Sequence, residues 1–394
     1  MSQNILYISY DGLTDTLGQS QILPYVAGLS KKGYRFTILS VEKRERYEIY
    51  KSTINKICKD NNIDWQFIFY TKNPPIISSV YDIQKMKRKA KLLHQEKQFL
   101  LVHSRSYMGS IVALYLKEKF NINFIFDMRG FYPDERVDGK TWDLSKWHYQ
   151  QVYQYFKKKE KQFLTRADAV ISLTHAGKNI MEQDWKVHLP INVIPCATDI
   201  ELFKPIQVKQ KTELTVGYLG SLGTWYMLPE MLALYQIVLQ KYSKAHFLIL
   251  TPDLPEQVYS EARKQNISTE NIQVRFATRE ELPNLLSTFD IGLFFISPSF
   301  SKQASSPVKQ GELMSMGIPV ITNSGVGDTD EIINKYKSGV LIKEFTKSEY
   351  EKVVSEIPKM LLWDKAKLRE GAIDYFSLQK GIENYAKIYA SLLA

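Results

Sequence analysis

Lys309 and Glu312 are the two residues whose type and spacing best suit the binding of an anionic ligand. They lie one turn apart in a predicted helix from about Val308 to Met316, directly after Ser306 and Pro307. A lysine in the first turn opposes the helix dipole, so a bound dianion explains its position better than helix stability does. Exposed N–H groups at a helix N-terminus also favour anions. This helix start is therefore a candidate phosphate site.

The longer stretch from Ser305 to Glu331 resembles the donor site of retaining glycosyltransferases of family 4. The family pattern is an acid, seven residues, a second Glu and then A-x-G-x-P-V-I. The matching residues are Glu312, Gly317, Pro319 and Val320, whereas Ala304 stands in place of the first acid. The resemblance implies that Glu312 binds the ribose hydroxyls of a nucleoside-diphosphate sugar, a role suited to a carboxylate.

The same resemblance implies an α/β fold called GT-B, in which two Rossmann-like domains face each other across a cleft. We expect an acceptor domain at residues 1–203 and a nucleotide-sugar donor domain at 204–375. A crossover helix at 376–394 is expected to pack on the first domain. The family reaction uses no metal: the acceptor attacks the face that the leaving group departs from, and a donor phosphate oxygen takes its proton.

Composition and patterning support this architecture independently. The chain has 394 residues and is 44% hydrophobic, enough for two cores. Short apolar runs alternate with amphipathic helices, which indicates parallel sheets covered on both faces. Predicted strands of the first half are 5–9, 35–39, 65–70, 99–103, 124–126, 169–173 and 192–194. Those of the second half are 214–219, 246–250, 272–276, 291–295, 319–322 and 339–342. The polar segment 203–211 is the predicted linker.

The sequence also bounds the location of the protein. No window approaches 18 uninterrupted apolar residues, and the N-terminus lacks the pattern of a signal peptide. The two cysteines, Cys58 and Cys196, make no disulfide framework and favour a reducing compartment. We expect a cytoplasmic protein, located at the inner face of the membrane if its basic surface binds lipid.

The net charge of +10 lies entirely in the first half, where residues 1–200 carry 30 Lys and Arg against 20 Asp and Glu. The densest runs are Lys85–Lys91 and Lys157–Lys161. One interpretation is two solvated helix faces. The other is a basic surface that meets anionic lipid headgroups or a phosphate-bearing acceptor. No nucleic-acid partner is expected, because no recognised binding module accompanies the charge.

Candidate residues of the first half follow predicted strands, where ligands of open α/β sheets bind. Gly18 precedes a helix after the first strand, where the family has a glycine-rich loop; an ordinary tight turn is the alternative. His103 matches the first residue of the family's His-x-His, and Arg105 replaces the second. Asp127 is the acidic candidate for gripping a sugar hydroxyl or acceptor. A structural ion pair between Arg105 and Asp127 is the alternative.

The second half opens with a strand, a glycine loop and a helix, a suitable place for donor phosphates. Gly220 matches the first residue of the family's G-R-x-x-x-x-K-G, but Ser221 and Trp225 stand where its two cations would be. Lys309 then carries more of the leaving-group charge, or Arg105 and Arg129 assist. Trp225 and Tyr226 either stack on a base or sugar or belong to the core.

No metal site is predicted. Asp328 and Asp330 have D-x-D spacing, but they begin a helix after a glycine turn, which favours capping by Asp328. The histidines have neither cysteine partners nor metal-ligand spacing.

We therefore expect a retaining glycosyltransferase that moves a sugar from a nucleoside-diphosphate sugar to a glycan, lipid-linked or phosphate-bearing acceptor, in cell-surface polysaccharide or glycoconjugate synthesis. The predicted catalytic residues are His103, Arg105, Asp127 and Lys309. The predicted donor-binding residues are Gly18, Gly220, Ser221, Tyr226, Ser306, Pro307, Val308, Lys309 and Glu312. Two alternatives stay open: a catalytically weak subunit that binds a partner or glycan, and a sugar-nucleotide epimerase or hydrolase.

Overall fold

The computed structural model describes residues 3–74, 76–207 and 212–394. The chain divides into two compact units, Met1–Pro195 with Leu378–Ala394, and Cys196–Ser377. The boundary predicted after residue 203 lies inside the second unit, because Phe203 is fully buried in that unit's core. Residues 208–211 of the predicted linker lie outside the described residues.

The first unit is built on a parallel sheet. Its strands are β1 (Asn4–Ser9), β2 (Arg35–Glu42), β3 (Asp64–Phe69), β4 (Leu101–Arg105), β5 (Asn123–Asp127), β6 (Ala169–Ser172) and β7 (Ile191–Val193). Their order across the sheet is β3-β2-β1-β4-β5-β6-β7. The order reverses between β1 and β4, and such a switch point is where open α/β sheets bind ligands.

Helices connect these strands and cover the sheet. They are α1 (Thr16–Gln21), α2 (Leu23–Ser30), α3 (Arg44–Asp60), α4 (Ile77–Lys97), α5 (Ser106–Phe120), α6 (Tyr132–Asp138), α7 (Trp147–Arg166) and α8 (His175–Asn179), which continues as a π-helix over Ile180–Asp184. Helix α5 is buried along most of its length. Strands β1, β4 and β5 are buried along almost their whole length, because both faces of the sheet are covered.

The second unit repeats this plan. Its strands are β8 (Thr215–Leu219), β9 (His246–Leu250), β10 (Ile272–Arg275), β11 (Ile291–Leu293), β12 (Val320–Asn323) and β13 (Gly339–Ile342), in the order β10-β9-β8-β11-β12-β13. Its helices are α9 (Leu228–Lys241), α10 (Pro255–Lys264), α11 (Leu282–Leu286), α12 (Val308–Ser315), α13 (Thr329–Tyr336), α14 (Lys347–Met360) and α15 (Lys365–Phe376), with a 3₁₀ turn at Ser301–Ala304. The switch point falls between β8 and β11.

The last helix, α16 (Leu378–Leu393), belongs to the first unit. It packs closely on α2: a Cβ added to Gly28 would lie 2.2 Å from Ile382 Cδ1, and one added to Gly381 would lie 2.6 Å from the Tyr25 ring. The predicted crossover of the C-terminal helix is confirmed, and it begins at residue 378 rather than 376. No helix within the described residues is both long and apolar enough to span a membrane.

Candidate functional site

Lys309 sits in the first turn of α12 in a pocket of aromatic rings. Its side chain is buried, and its Nζ donates a hydrogen bond to the Tyr218 hydroxyl at 3.0 Å. The same Nζ lies 3.7 Å from the centroid of the Tyr226 ring. Burial lowers the pKa of Lys309 well below its ordinary value, and the nearby Glu312 only partly opposes this. A negatively charged ligand would favour the protonated ammonium.

Gly220 leaves room for the Lys309 amine in this pocket. It directly follows β8 and has a φ of +125°, a conformation that residues with a side chain rarely adopt. A Cβ at this position would lie 2.7 Å from Lys309 Nζ. The structure therefore brings together Gly220, Tyr226 and Lys309, three of the predicted donor residues, and adds Tyr218, which the sequence analysis missed.

Glu312 lies one turn further along α12 and is also buried, at 8% exposure. Burial raises the pKa of its carboxyl group, against the opposing effect of Arg279 and Lys309. The Nη1 atom of Arg279 is 4.0 Å from Glu312 Oε1, longer than a hydrogen bond. The arrangement suits a carboxylate that accepts hydrogen bonds from a ligand hydroxyl. Arg279 was missed because it stands alone in a loop, with no motif around it.

The predicted residues before α12 fix where that helix begins. The Ser306 hydroxyl accepts a hydrogen bond from the Cys196 backbone N–H at 3.2 Å. Pro307 is the N-cap residue and Val308 opens the helix. Ser221 contributes its backbone carbonyl, which accepts a hydrogen bond from the Tyr218 hydroxyl. Ser306, Pro307 and Val308 therefore fix the start of the helix that carries Lys309, and Ser221 orients the Tyr218 hydroxyl.

Trp225 and Tyr226 precede α9 and are held by a short antiparallel bridge between Tyr226 and Ile296. The Ser297 backbone N–H donates to the Trp225 carbonyl at 2.8 Å. Both rings pack partly against the core of the unit. The amine of Lys302 lies over the Trp225 ring, and that of Lys309 lies over the Tyr226 ring. Lys302 Nζ is 3.7 Å from the Trp225 ring centroid, a contact that nothing in the sequence predicted.

In the first unit, His103 and Asp127 join the sheet to α16. His103 is 1% exposed; its Nδ1 is 2.6 Å from the Tyr389 hydroxyl, and its Nε2 is 3.4 Å from Asp127 Oδ2. Asp127 also accepts a hydrogen bond from the Tyr385 hydroxyl at 2.9 Å. Burial lowers the pKa of His103, so the ring is neutral. Asp127 can only accept, so Nε2 donates to it and Nδ1 accepts from Tyr389.

The catalytic roles of His103 and Asp127 stay predictions, and the structure places both inside the unit. The C-terminal tyrosines had a detectable signal, since Tyr385 and Tyr389 stand four residues apart on the apolar stripe of a helix. Their partners were not predictable, because they come from strands far away in sequence.

Two arginines lie beside this network. Arg129 Nη1 is 3.7 Å from Asp127 Oδ1. Burial alone would raise the pKa of Asp127, but Arg129 and the His103 hydrogen bond outweigh it and lower the pKa to about 2. Arg105 is 5% exposed at the end of β4, and its Nε is 3.4 Å from Asp11 Oδ2. The close ion-pair partner of Arg105 is therefore Asp11, two residues after the end of β1, rather than Asp127.

The loop after β1 is organised by Glu42, which the sequence analysis did not single out. This fully buried carboxylate accepts hydrogen bonds from the backbone N–H groups of Leu13 at 2.7 Å and Thr14 at 3.1 Å. Gly18 lies inside α1, and a Cβ there would stand 2.1 Å from the Gly12 carbonyl oxygen. Gly18 is therefore required for this loop to close.

Asp328 lies at the predicted N-cap position, but its side chain does not cap the helix. Asp328 is the N-cap residue of α13, but its side chain makes no capping hydrogen bond and accepts one from the Tyr375 hydroxyl at 2.5 Å instead. Asp330 accepts from the Gly325 N–H at 3.0 Å. Within the described residues, no group of three or more His, Cys, Asp and Glu side chains could hold a metal ion.

The burial of Lys309 gives a prediction about stability. Because its folded pKa lies below its unfolded value, the unfolded chain binds more protons between the two values, and stability rises with pH through that window. Lys309→Met removes this dependence. We expect the variant to be at least as stable as the wild type at pH 7, and this relative advantage to fall as the pH approaches 10. Denaturant unfolding at both pH values measures it; a relative stability that does not change with pH would contradict it.

Two family models match the chain. The model of Glycosyltransferase Family 4 matches residues 21–202, and that of Glycosyl transferases group 1 matches residues 199–370. No curated protein sequence matches significantly.

Solved structures share the fold at low sequence identity. Sucrose-phosphate synthase from Thermosynechococcus elongatus is 16% identical with a TM-score of 0.74, covering 99% of each chain. A glycosyltransferase from Rickettsia africae ESF-5 is 14% identical with a TM-score of 0.71, covering 100% of this chain and 99% of that one. HepE of Anabaena, in complex with UDP-glucose, is 11% identical with a TM-score of 0.68, covering 98% and 99%.

Proposed function

Since the two matches together span residues 21–370, the chain belongs to the group 1 glycosyltransferases of GT-B fold, and we propose that it transfers a sugar from a nucleoside-diphosphate sugar with retention of configuration. The proposed acceptor is a glycan, a lipid-linked saccharide or a phosphate-bearing molecule. The pair of Lys309 and Glu312 at the start of α12 is the observation that carries this proposal.

The chemistry requires what that helix start offers. Expelling a diphosphate from an anomeric carbon develops negative charge on the leaving oxygen, and prearranged positive groups stabilise it in a water-poor site. Lys309 supplies such a group, while the buried Glu312 carboxylate accepts hydrogen bonds from the ribose hydroxyls. In the first unit, we assign to Arg105 a contact with the acceptor or with a phosphate. We assign to His103 and Asp127 the role of positioning the ends of β4 and β5.

The donor is tested directly by thermal shift with UDP-, GDP- and ADP-sugars. A ligand at about 100 times its dissociation constant stabilises the native state by about 2.7 kcal/mol. The UDP-glucose held by the Anabaena protein makes UDP-sugars the first to try. Stabilisation by none of these donors would contradict the proposal. Measurable donor turnover by the isolated chain would exclude the weak-subunit alternative, and product analysis without acceptor separates transfer from epimerisation or hydrolysis.

Glu312→Ala should weaken the donor and the free nucleotide alike. Losing one charged hydrogen-bonding group costs roughly 1.5–3 kcal/mol, or about 10- to 150-fold in affinity. Isothermal titration with the nucleoside diphosphate measures this change, and Glu344→Ala, at an exposed loop position, is the matched control. Nucleotide affinity equal to that of the control would remove Glu312 from the donor site.

We also propose that the first unit contacts anionic membranes. The proposed contact surface includes the exposed start of α4 and is not limited to the lysine run Lys85–Lys91. Lys85 Nζ donates to the Phe69 carbonyl at 3.2 Å, and Lys89 Nζ donates to the Phe67 carbonyl at 2.8 Å, so these amines are engaged within the unit. The start of α4 exposes apolar side chains instead: Ile77 is 66%, Val80 52% and Tyr81 56% exposed. An apolar tip beside basic residues fits an interfacial helix.

Replacing Ile77 and Tyr81 with serine should reduce binding to vesicles that contain anionic lipid. Two large apolar groups contribute enough for at least about a tenfold loss, given roughly 1.5–3 kcal/mol per fully buried side chain. Vesicle sedimentation measures it, with Leu362→Ser, another exposed apolar position, as the control. Equal binding by the double variant and the control would contradict membrane contact through α4.

A further inference from the structure

We infer that the first unit has a further ligand site, a cavity between α7 and residues 185–189 that binds a single alkyl chain ended by an anionic group. This α7 cavity has a volume of about 580 Å³. Pockets that hold small molecules usually measure about 300–1,000 Å³ and are mostly apolar, with a few polar groups. The inference does not depend on sugar transfer.

The α7 cavity lies away from the candidate catalytic residues of the unit. It is lined by the C-terminal half of α7 and by residues 185–189, and β7 begins soon afterwards at Ile191. Arg105 and Asp127, in contrast, are the last residues of β4 and β5. Because β4 to β7 are parallel, the strands begin at one edge of the sheet and end at the other. The cavity is therefore separate from the site of transfer.

The walls of the α7 cavity are largely apolar. Leu164 of α7 is 4% exposed, and Trp185, Val187 and Leu189 are partly buried along the facing segment. Together they form a concave surface rather than a flat patch. An alkyl chain that enters it leaves water, which is favourable in proportion to the apolar area buried.

The facing segment is held in place by backbone hydrogen bonds. It follows the π-helix over Ile180–Asp184, and such helices are rare and frequently found at functional sites. The Trp185 N–H donates to the Ile180 carbonyl at 3.1 Å, and the Val187 N–H donates to the Met181 carbonyl at 2.9 Å. The wall is thus formed before a ligand arrives.

The charged residues of the α7 cavity are mostly basic. Lys157, Lys161 and Lys186 line it, against the single carboxylate of Glu160. Lys157 forms ion pairs with Glu160 and with Asp134, the latter at 3.0 Å, so its charge is compensated. Lys161 and Lys186 are exposed, and neither forms an ion pair within the part of the chain that the structure describes. Their ammonium groups fit an anionic head group.

An alkyl chain suits these walls better than a peptide segment does. A peptide would bring backbone N–H and C=O groups against apolar side chains, and each buried one needs a hydrogen-bond partner. An alkyl chain has no such groups. Its anionic end can stay at the rim, near Lys161 and Lys186, where a neutral or cationic amphiphile would gain nothing from the charge.

The position of the α7 cavity favours a monomeric ligand from solution over a lipid within a bilayer. The proposed membrane contact is the start of α4 at Ile77, which follows the end of β3. The cavity lies toward the opposite edge of the sheet, where β6 and β7 begin. A lipid in a bilayer at the start of α4 would not reach it.

The test is isothermal titration of the full chain with three amphiphiles of equal chain length, each below its micelle concentration. They are decyl phosphate, decyl maltoside and decyltrimethylammonium. The wild type should bind decyl phosphate most tightly and the cationic compound at least about tenfold more weakly, because like charges at one site repel.

Lys161→Gln combined with Lys186→Gln should weaken decyl phosphate at least about fivefold and leave decyl maltoside unchanged, because only two exposed charges are removed. The matched control is Lys158→Gln combined with Lys32→Gln, two exposed lysines of the same unit outside the cavity. Val187→Ser should weaken both amphiphiles, since it makes an apolar wall polar.

Three results would overturn the inference. One is a wild type that does not bind monomeric decyl phosphate, even if it binds anionic vesicles, which would assign these lysines to a membrane surface. Another is equal affinity of the double charge variant and its control. The third is loss of binding in Lys309→Met, which would place decyl phosphate at the donor site. If Val187→Ser fails to fold, the charge variants still decide, because they change only exposed side chains.

Discussion

Lys309→Met is expected to lower turnover by about 10²–10³, the loss typical of removing one electrostatic stabiliser from a transition state. Donor affinity should change less, because the charge on the leaving oxygen develops fully only as the bond breaks. Methionine keeps most of the stem volume. Tyr218 keeps its hydrogen bond to the Ser221 carbonyl, so the variant should fold. Steady-state rates of nucleoside diphosphate release measure the effect.

The control variant needs a lysine that is exposed. Lys302 is near in sequence but is buried on the Trp225 ring, so it is not an inert position. The exposed Lys343→Met serves instead. A Lys309→Met enzyme as fast as this control would show that the leaving group is held elsewhere, with Arg105 and Arg129 as the next residues to change.

Asp127→Ala is expected to lower the free energy of unfolding by about 3–5 kcal/mol, the cost of removing one partner of a buried ion pair. Arg129 would lose its nearby negative charge, and both His103 and Tyr385 would lose an acceptor. Denaturant unfolding of the full chain measures the change. Asp60→Ala, at an exposed position at the end of α3, is the control.

The lowered pKa of Asp127 also predicts that the protein loses stability in acid. Its folded pKa of about 2 lies below the ordinary value, so its contribution to stability is complete above that ordinary value and is lost as the pH falls towards 2. The difference in stability between Asp127→Ala and the wild type should therefore narrow in acid. An Asp127→Ala protein as stable as the control at neutral pH would show that Arg129 finds other compensation.

Local patterns were sufficient to predict the strands. Each predicted strand overlaps one of β1 to β13, because apolar residues recur within short distances in every strand. The helix predicted at Val308–Met316 corresponds to α12, Val308–Ser315. The Lys309 and Glu312 positions follow from that helix alone. The parallel sheets and the C-terminal crossover agree with the family resemblance.

Contacts between residues far apart in sequence were beyond such patterns. Nothing near Lys302 predicts that it will lie on Trp225, and nothing near His103 predicts Tyr389. The predicted linker, residues 203–211, begins at Phe203 because that segment is mostly polar with one proline. The Phe203 ring is buried in the core of the second unit, so this residue belongs to that unit. Asp328 is a residue type that commonly caps helices, yet its carboxylate accepts a hydrogen bond from the Tyr375 hydroxyl instead. Tertiary partners decided each case.

The central claim, retaining transfer from a nucleotide sugar, is tested most directly by following the reaction with proton NMR. The wild-type chain is incubated with UDP-, GDP- and ADP-sugars, each with and without glycan and phosphate-bearing acceptors. We expect one donor to release its nucleoside diphosphate faster when an acceptor is present, and the product to keep the anomeric configuration of the donor. Release that no acceptor accelerates, or a product with inverted configuration, would contradict the account.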